Sequence, residues 1–204
     1  MRRGKRFLAF VLAISMLLTS NAASVLASQM GENSEAEIVK QDINNTEILA
    51  GKKMTVLYTP EGQKPLSKVG CERQRLIEGQ DFEAVYYLLN QDGTRIGDGL
   101  ETVTDAGNYE LVLQGCNLFE GTFHNAALVT VKPRSLTDGD IRIENTYAGY
   151  ESGNVSAKYE LWYQDVLLQE NVDYWVTFAG ISEDGNLVTF VFEGKGNYAG
   201  KFER

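Results

Sequence analysis

The chain of 204 residues has few of the side chains from which enzyme sites are built, with only one histidine and two cysteines. A closed zinc site needs about four ligands, so these three side chains cannot form one. His124 has no Ser or Cys motif beside it, and nothing singles out a pair among the 28 acidic residues for glycoside cleavage. We therefore predict no catalytic residue, no metal and no cofactor, with a secreted hydrolase as the least favoured alternative.

One loop offers oxygen ligands of the kind that calcium prefers. Its candidate ligands are Asn90, Asp92, Asp98 and Glu101, but they lack the D-x-[DN]-x-[DN]-G spacing of a specific site. Ordinary turn chemistry explains the same residues. The prediction of no metal therefore stands.

Positive charge is concentrated in the first six residues, which carry four cations and no acid. An apolar run at 7–18 and several small residues follow, which is the pattern of a secretory signal peptide. A membrane span needs about 20 apolar residues, so this run is short for one, and an uncleaved anchor is the alternative to cleavage. We predict a signal peptide at 1–27, a flexible polar lead-in at 28–36, and an extracellular location with no membrane span in the mature chain.

The formal net charge of the whole chain is −9, and removing four cations with the signal peptide makes it −13. An acidic surface is repelled by phosphate backbones and by anionic membranes. Nucleic acid is therefore not an expected partner.

No long segment shows the 3.6-residue period of an amphipathic helix. Short apolar runs rich in Val, Tyr, Phe and Thr instead alternate with polar residues, and turns such as QDGT, TDGD and EDGN separate them. We predict an all-β protein with strands at 52–58, 81–88, 108–115, 126–133, 157–164, 173–178 and 187–194.

Two blocks of sequence occur twice. LIEGQDF at 76–82 matches LLQENVDY at 167–174, and GCNLFEGTF at 115–123 matches GKGNYAGKF at 194–202. The spacing between the blocks is longer in the first copy, which we assign to an inserted loop at 89–108.

A polar turn follows Pro133, which ends a strand, and lies between the two copies. We predict two domains, one at 37–133 and the other at 134–204.

The two blocks resemble the immunoglobulin-like repeats found along surface and secreted proteins of Gram-positive bacteria. The pattern of those repeats runs roughly L-x-x-G-x-D-Y-x-V-x-Y and then G-x-G-N-Y-x-G; the second copy fits it well and the first more loosely. The resemblance implies two tandem immunoglobulin-like β-sandwich domains that act as spacers or adhesive domains, with no catalytic residues to carry over. It also implies a protein or a glycan at the cell surface as the partner. The residues with implied structural roles are Asp81, Phe82, Phe119, Asp173, Tyr174, Gly194, Gly196, Tyr198 and Gly200.

The stretch GKGNYAG at 194–200 does not fit a phosphate loop, because it follows a strand, precedes no helix and lacks Lys followed by Ser or Thr. Its glycines fit a tight corner between strands, where positive φ is needed. We expect Tyr198 to fold back into the sandwich with its hydroxyl bonded to backbone.

Trp162 and Trp175 are the two tryptophans of the chain. If the strands at 157–164 and 173–178 pair as a hairpin, both side chains share one outer face. Such a face can stack on sugar rings or be covered by a neighbouring domain, and the assignment of faces can also fail. A carbohydrate-binding module that uses both tryptophans is the alternative to a spacer or adhesive domain.

Cys71 and Cys116 can form a disulfide in an exported chain. Cys71 precedes the first block and Cys116 begins the first glycine motif, so we expect both at one end of the first domain. A disulfide needs Cα atoms within roughly 7 Å. Two free thiols are the alternative.

The second copy reaches Arg204 soon after its glycine motif, whereas the first copy continues into the strand at 126–133. We expect the second domain to lack its last strand, through truncation or an open edge, unless residues 134–143 fold back to fill the gap. An open edge can accept a strand from a partner or a second copy.

Overall fold

The structure, a computed structural model, describes residues 38–49, 51–66, 68–151 and 154–204. The predicted signal peptide and lead-in lie outside the described residues. Residues 38–204 form one compact unit, in which the buried side chains make two separate clusters. We call 38–133 the N-terminal lobe and 134–204 the C-terminal lobe, and the predicted boundary between two domains stays a prediction.

The described chain is almost entirely β, which confirms the all-β prediction. Its N-terminal strands are β1 (Gln41–Asp42), β2 (Glu47–Ile48), β3 (Lys53–Leu57), β4 (Val69–Cys71), β5 (Gln74–Arg75), β6 (Phe82–Leu89), β7 (Arg95–Leu100), β8 (Gly107–Gly115), β9 (Phe119–Glu120) and β10 (Thr122–Lys132). Its C-terminal strands are β11 (Arg134–Ser135), β12 (Ile141–Glu151), β13 (Asn154–Tyr163), β14 (Val166–Leu167), β15 (Tyr174–Ile181), β16 (Val188–Gly194), β17 (Tyr198–Ala199) and β18 (Lys201–Glu203).

Helix is almost absent from this part of the chain, which contains one 3₁₀ turn at Ile43–Asn45. The Asp42 side chain caps this turn by accepting a hydrogen bond from the Asn44 backbone N–H. No helix among the described residues has the length and hydropathy to cross a membrane.

The main sheet of the N-terminal lobe has five strands in the order β3, β10, β8, β6 and β7. β3 runs parallel to β10, with Lys53 opposite Leu128 and Leu57 opposite Lys132, and the other pairs are antiparallel. Tyr109, Leu111 and Leu113 alternate along β8 and are buried in the core. A second sheet contains β2, β4 and β5, and β1 pairs with β9.

The insertion at 89–108, expected as a loop, contains β7, which pairs with β6. The turn between these strands is held by Asn90, whose Oδ1 atom accepts hydrogen bonds from the backbone N–H groups of Asp92 and Thr94 at 3.0 Å each. The turn residues of QDGT therefore close a hairpin, as their turn chemistry indicates, and what the sequence interpretation missed is the strand β7 that follows them.

The C-terminal lobe has one sheet of β12, β13 and β14 and another of β15, β16 and β18. Leu161 and Tyr163 of the first sheet and Tyr174 and Phe192 of the second are buried in one shared core. β11 pairs in parallel with β17 beside these sheets.

The last strand of the C-terminal lobe is short rather than missing. β18 pairs with β16 at Val191–Glu193, and Arg204 exchanges two backbone hydrogen bonds with Phe190. The pairing with β18 does not reach Val188, at the start of β16. The region at 134–143 does not fill this gap in the described chain, because β11 pairs with β17 and β12 with β13.

Candidate functional site

The two glycine motifs form corners with the same backbone geometry. Asn117 and Gly196 have φ of 53° and 63°, and Gly121 and Gly200 both have φ of 84°. Gly196 and Gly200 therefore play the predicted role, since L residues with side chains rarely adopt these angles.

Gly194 serves a different purpose, because it is not among the residues with positive φ. A Cβ atom at Gly194 would lie 2.5 Å from the backbone nitrogen of Ala199, and one at Gly115 would lie 2.7 Å from that of Glu120. Glycine is required at these two positions by close packing of backbone on backbone.

The aspartate of each repeated block ties its turn to the corner. Asp81 Oδ2 accepts a hydrogen bond from the Ile77 backbone N–H at 2.8 Å, and Asp173 Oδ2 accepts one from Gln169 at 2.8 Å. The backbone oxygen of Asp173 also accepts the Lys195 N–H at 2.9 Å, as Asp81 does for the corner of the N-terminal lobe. The next residue in each block, Phe82 or Tyr174, is buried in its core, as is Phe119 of the first corner.

Tyr198 is buried where the two lobes meet. Its ring lies edge-on to Tyr58 of the N-terminal lobe, with centroids 5.5 Å apart, and to Tyr163 at 6.3 Å. Burial raises the pKa of the Tyr198 hydroxyl, and the neighbouring Tyr58 raises it further. The contact that the structure places at Tyr198 is thus between aromatic rings of the two lobes, and the bond of its hydroxyl to backbone stays a prediction.

Asn197 bonds the second corner directly to the N-terminal lobe. Its Oδ1 atom accepts a hydrogen bond from the Ala106 backbone N–H at 2.6 Å, and its Nδ2 group donates one to Asp105 Oδ1 at 2.9 Å. The matching residue of the first corner is Leu118, which is 56% exposed. Sequence reasoning missed this role of Asn197, and the exchange of Asn for Leu between the copies is the signal that could have found it.

The two tryptophans do not share a face. Trp162 lies on β13 and Trp175 on β15, and these strands belong to different sheets, so the hairpin on which the shared face depended is absent. Their neighbours Leu161, Tyr163 and Tyr174 all point into the core between the sheets, which sends the tryptophans to opposite sides. Trp175 is 47% exposed, and Lys195 Nζ lies 4.9 Å from the centre of its ring.

Cys71 and Cys116 are free thiols, so the expected disulfide is not formed in this structure. The Cys71 thiol is buried and donates a weak hydrogen bond to Gln41 Oε1 at 3.8 Å. Burial raises the pKa of both thiols, which lowers their reactivity as thiolates.

A charged cluster crosses the outer face of the five-stranded sheet. Arg95 donates two hydrogen bonds to Glu110, at 2.7 and 2.8 Å, and a third contact joins it to His124 Nδ1 at 2.9 Å. The Arg95 guanidinium also lies 4.1 Å from the centre of the Tyr87 ring. His124, an exposed residue of β10, therefore contacts the Arg95–Glu110 ion pair through the Arg95 guanidinium.

Replacing Glu110 by glutamine is expected to lower the free energy of unfolding by about 2 kcal/mol at neutral pH. Glu110 is 6% exposed and also accepts the Asn125 backbone N–H. The hydrogen bond from Arg95 holds the pKa of Glu110 below its ordinary value of 4.5. The stabilisation is therefore complete above that value and is lost as the pH falls through the pKa of the folded state.

Urea unfolding of the native protein and of Glu110→Gln, followed from neutral pH to about pH 3, measures this difference. Glu83→Gln is the matched control, because Glu83 is an exposed carboxylate on the neighbouring strand. A difference between native and Glu110→Gln that stays constant with pH would contradict the role of the charge.

A groove of about 910 Å³ lies on the N-terminal lobe beside the sheet of β2, β4 and β5. We call it the basic groove; it is lined by Leu49, Leu66, Lys68, Val69, Arg75, Leu76, Ile77, Glu78 and Phe82. Its floor consists of Val69, Leu76 and Phe82, which belong to the lobe core. Lys68 precedes Val69 and Arg75 precedes Leu76 along the chain, and both cations are exposed at the edge of the groove.

Within the described ranges, no group of three or more His, Cys, Asp or Glu side chains is arranged to hold a metal ion. The candidate sites are thus the contact between the lobes, which is structural, and the basic groove, which is open to a ligand. Comparisons of the chain with protein-family models, with curated proteins and with solved structures found no match.

Proposed function

We propose that the chain is a non-enzymatic extracellular module, a spacer or adhesive domain of a bacterial surface or secreted protein. In this proposal a signal peptide exports it, and the two lobes are tandem immunoglobulin-like domains. The observation that carries the proposal is the contact of Asn197 with the N-terminal lobe, through which one repeated corner holds the neighbouring lobe.

The recurrence of backbone geometry supports the tandem arrangement. Positive φ occurs at matching positions of the two copies, and positive φ is costly for most residues. The matching pairs are Glu72 and Gln164, Gly79 and Asn171, Asn117 and Gly196, and Gly121 and Gly200.

A spacer needs lobes that hold a fixed orientation, and the contacts between these lobes are suited to that task. Two hydrogen bonds from Asn197 and the edge-on rings of Tyr58 and Tyr198 act together. The Arg134 guanidinium also donates a hydrogen bond to the Tyr58 backbone oxygen at 3.4 Å. Tyr58 packs against both buried clusters, so unfolding one lobe exposes part of the other.

Leucine occupies the position of Asn197 in the first corner. Replacing Asn197 by leucine is expected to weaken the interaction free energy between the lobes by about 2 kcal/mol, because two hydrogen bonds are lost. Both tryptophans lie in the C-terminal lobe, so tryptophan fluorescence reports on that lobe alone, whereas circular dichroism reports on both. In the native protein the two signals should change at the same urea concentration. In Asn197→Leu the fluorescence transition should come first.

Asn186→Leu is the control, because the Asn186 amide bonds Asp184 within a single turn of the C-terminal lobe. It should leave the two transitions together. Transitions that already separate in the native protein would contradict a rigid spacer.

The alternative of a carbohydrate-binding module depended on Trp162 and Trp175 acting together, and their places on different sheets do not favour it. A protein or glycan of the cell surface remains the proposed partner.

Strand addition at the short β18 edge is a further part of the proposal, because Val188 lies beyond the pairing of β16 with β18.

A further inference from the structure

The basic groove differs in charge from the rest of the protein. The chain has a net charge of −9, yet the segment 64–75 contains four cations and one acid. Lys64 forms an ion pair with Glu78 at 3.3 Å. The other three cations, Lys68, Arg73 and Arg75, have no ion-pair partner within the part of the chain that the structure describes.

These unpaired cations attract an anionic ligand to the groove. The acidic surface of the rest of the protein repels the same ligand, so the ligand is directed to the groove. The floor of the groove is apolar, so the ligand must also carry apolar groups. Leu49 and Ile77 are each 56% exposed beside the buried Val69, Leu76 and Phe82. Apolar surface of this kind, rimmed by polar side chains, marks a binding site for apolar groups.

The wall of the groove includes a free strand edge. β5 pairs with β4 on one side only, and Arg75 belongs to both β5 and the lining of the groove. An extended peptide can lie along such an edge, where backbone hydrogen bonds hold it and pockets take alternate side chains. The lining places cations at the rim and apolar side chains on the floor, which matches a strand with acidic and apolar faces.

We propose that the basic groove binds an extended peptide segment of another protein in which acidic and apolar side chains alternate. This inference rests on the proposed function. It favours an adhesive domain over a spacer and names the chemistry of the partner. A single-chain amphiphile such as a fatty acid fits less well. Ligand pockets for small molecules bury most of the ligand surface, whereas this groove is partly open to solvent.

The test uses the mature chain and a blocked, fluorescently labelled peptide of alternating leucine and glutamate, about six residues long, with binding followed by fluorescence anisotropy. We expect saturable binding that weakens as salt is added, since screening reduces the attraction of the rim. Arg75→Glu and Lys68→Glu should each weaken binding about tenfold. Ile77→Ser should also weaken it, because that side chain is exposed in the groove and can be shortened without opening the core.

Two matched variants complete the design. Lys52→Glu reverses an exposed charge outside the groove, and Leu187→Ser shortens a side chain of the other lobe that is 68% exposed. Both should bind like the native protein. The inference is overturned if the peptide does not bind, if the peptide with lysine for glutamate binds equally well, if the groove variants bind normally, or if dodecanoate binds in place of the peptide. None of these outcomes alters the coupling of the lobes, so the failure of this inference is distinguishable from that of the proposed function.

Discussion

Replacing Gly194 by alanine is expected to lower the free energy of unfolding of the C-terminal lobe by about 3 kcal/mol. The new Cβ atom would meet the backbone nitrogen of Ala199 at 2.5 Å and its Cα at 2.7 Å. The backbone of Ala199 cannot move away by rotating about side-chain bonds, as a long side chain could. The Gly194 N–H also donates a hydrogen bond to the Gly200 oxygen at 2.9 Å, so relieving the clash would stretch the bond that closes the corner.

Gly180→Ala is the matched control in the same lobe, because a Cβ atom there meets nothing within 4 Å. It should change stability little, or raise it slightly by restricting the unfolded chain. Urea unfolding followed by tryptophan fluorescence measures both variants. Equal effects of the two substitutions would show that close packing at Gly194 is not what requires glycine.

Replacing Phe192 by alanine is expected to cost the C-terminal lobe about 4 kcal/mol, an effect close to its whole stability. Phe192 is 1% exposed and lies at the centre of an aromatic cluster. Its ring stacks on Phe202 with centroids 4.8 Å apart and meets Tyr159 edge-on at 5.0 Å. The cavity would remove these contacts from both sheets and from the short β18 at once.

Phe178→Ala removes the same number of atoms from the same lobe, but Phe178 is 47% exposed. Its loss should cost about 1 kcal/mol, since only the edge-on contact with Phe190 at 6.1 Å disappears. Thermal unfolding by fluorescence compares the two. A similar cost for both would mean that the lobe lacks a well-packed core.

Local patterns in the sequence predicted several of the longer strands but missed β12 at Ile141–Glu151 and β7 at Arg95–Leu100. The alternation in NYELVLQG predicts β8 because Tyr109, Leu111 and Leu113 must share one buried face, and they do. The matching blocks also predicted which residues form corners, since Asp81 and Asp173 make the same hydrogen bonds in the two lobes.

Pairing between strands was harder to predict, because alternation fixes the faces of a strand but not its neighbours. Trp162 and Trp175 lie on strands that are close in sequence, and a hairpin was the simplest expectation. Instead the turn around Asp173 carries the chain from one sheet to the other, and β15 pairs with β16. Phe178, near the far end of β15, is 47% exposed and lies opposite Phe190 of β16.

The sites were less visible still, because they depend on contacts between distant segments. Arg95, Glu110 and His124 lie on three strands of one sheet, and no motif joins them in sequence. The basic groove was visible only as charge, in the four cations of segment 64–75, and its apolar floor comes from residues that any core would contain.

The parallel pairing of β3 with β10 determines how the protein responds to mechanical load. Force applied at the two ends of the N-terminal lobe pulls β3 and β10 in opposite directions along their length. The registered pairs from Lys53–Leu128 to Leu57–Lys132 are then sheared together, so their hydrogen bonds share the tension and must break as a group. The parallel pair of the C-terminal lobe, β11 with β17, has only the two positions Arg134–Tyr198 and Ser135–Ala199. We therefore expect the C-terminal lobe to unfold at a lower force than the N-terminal lobe.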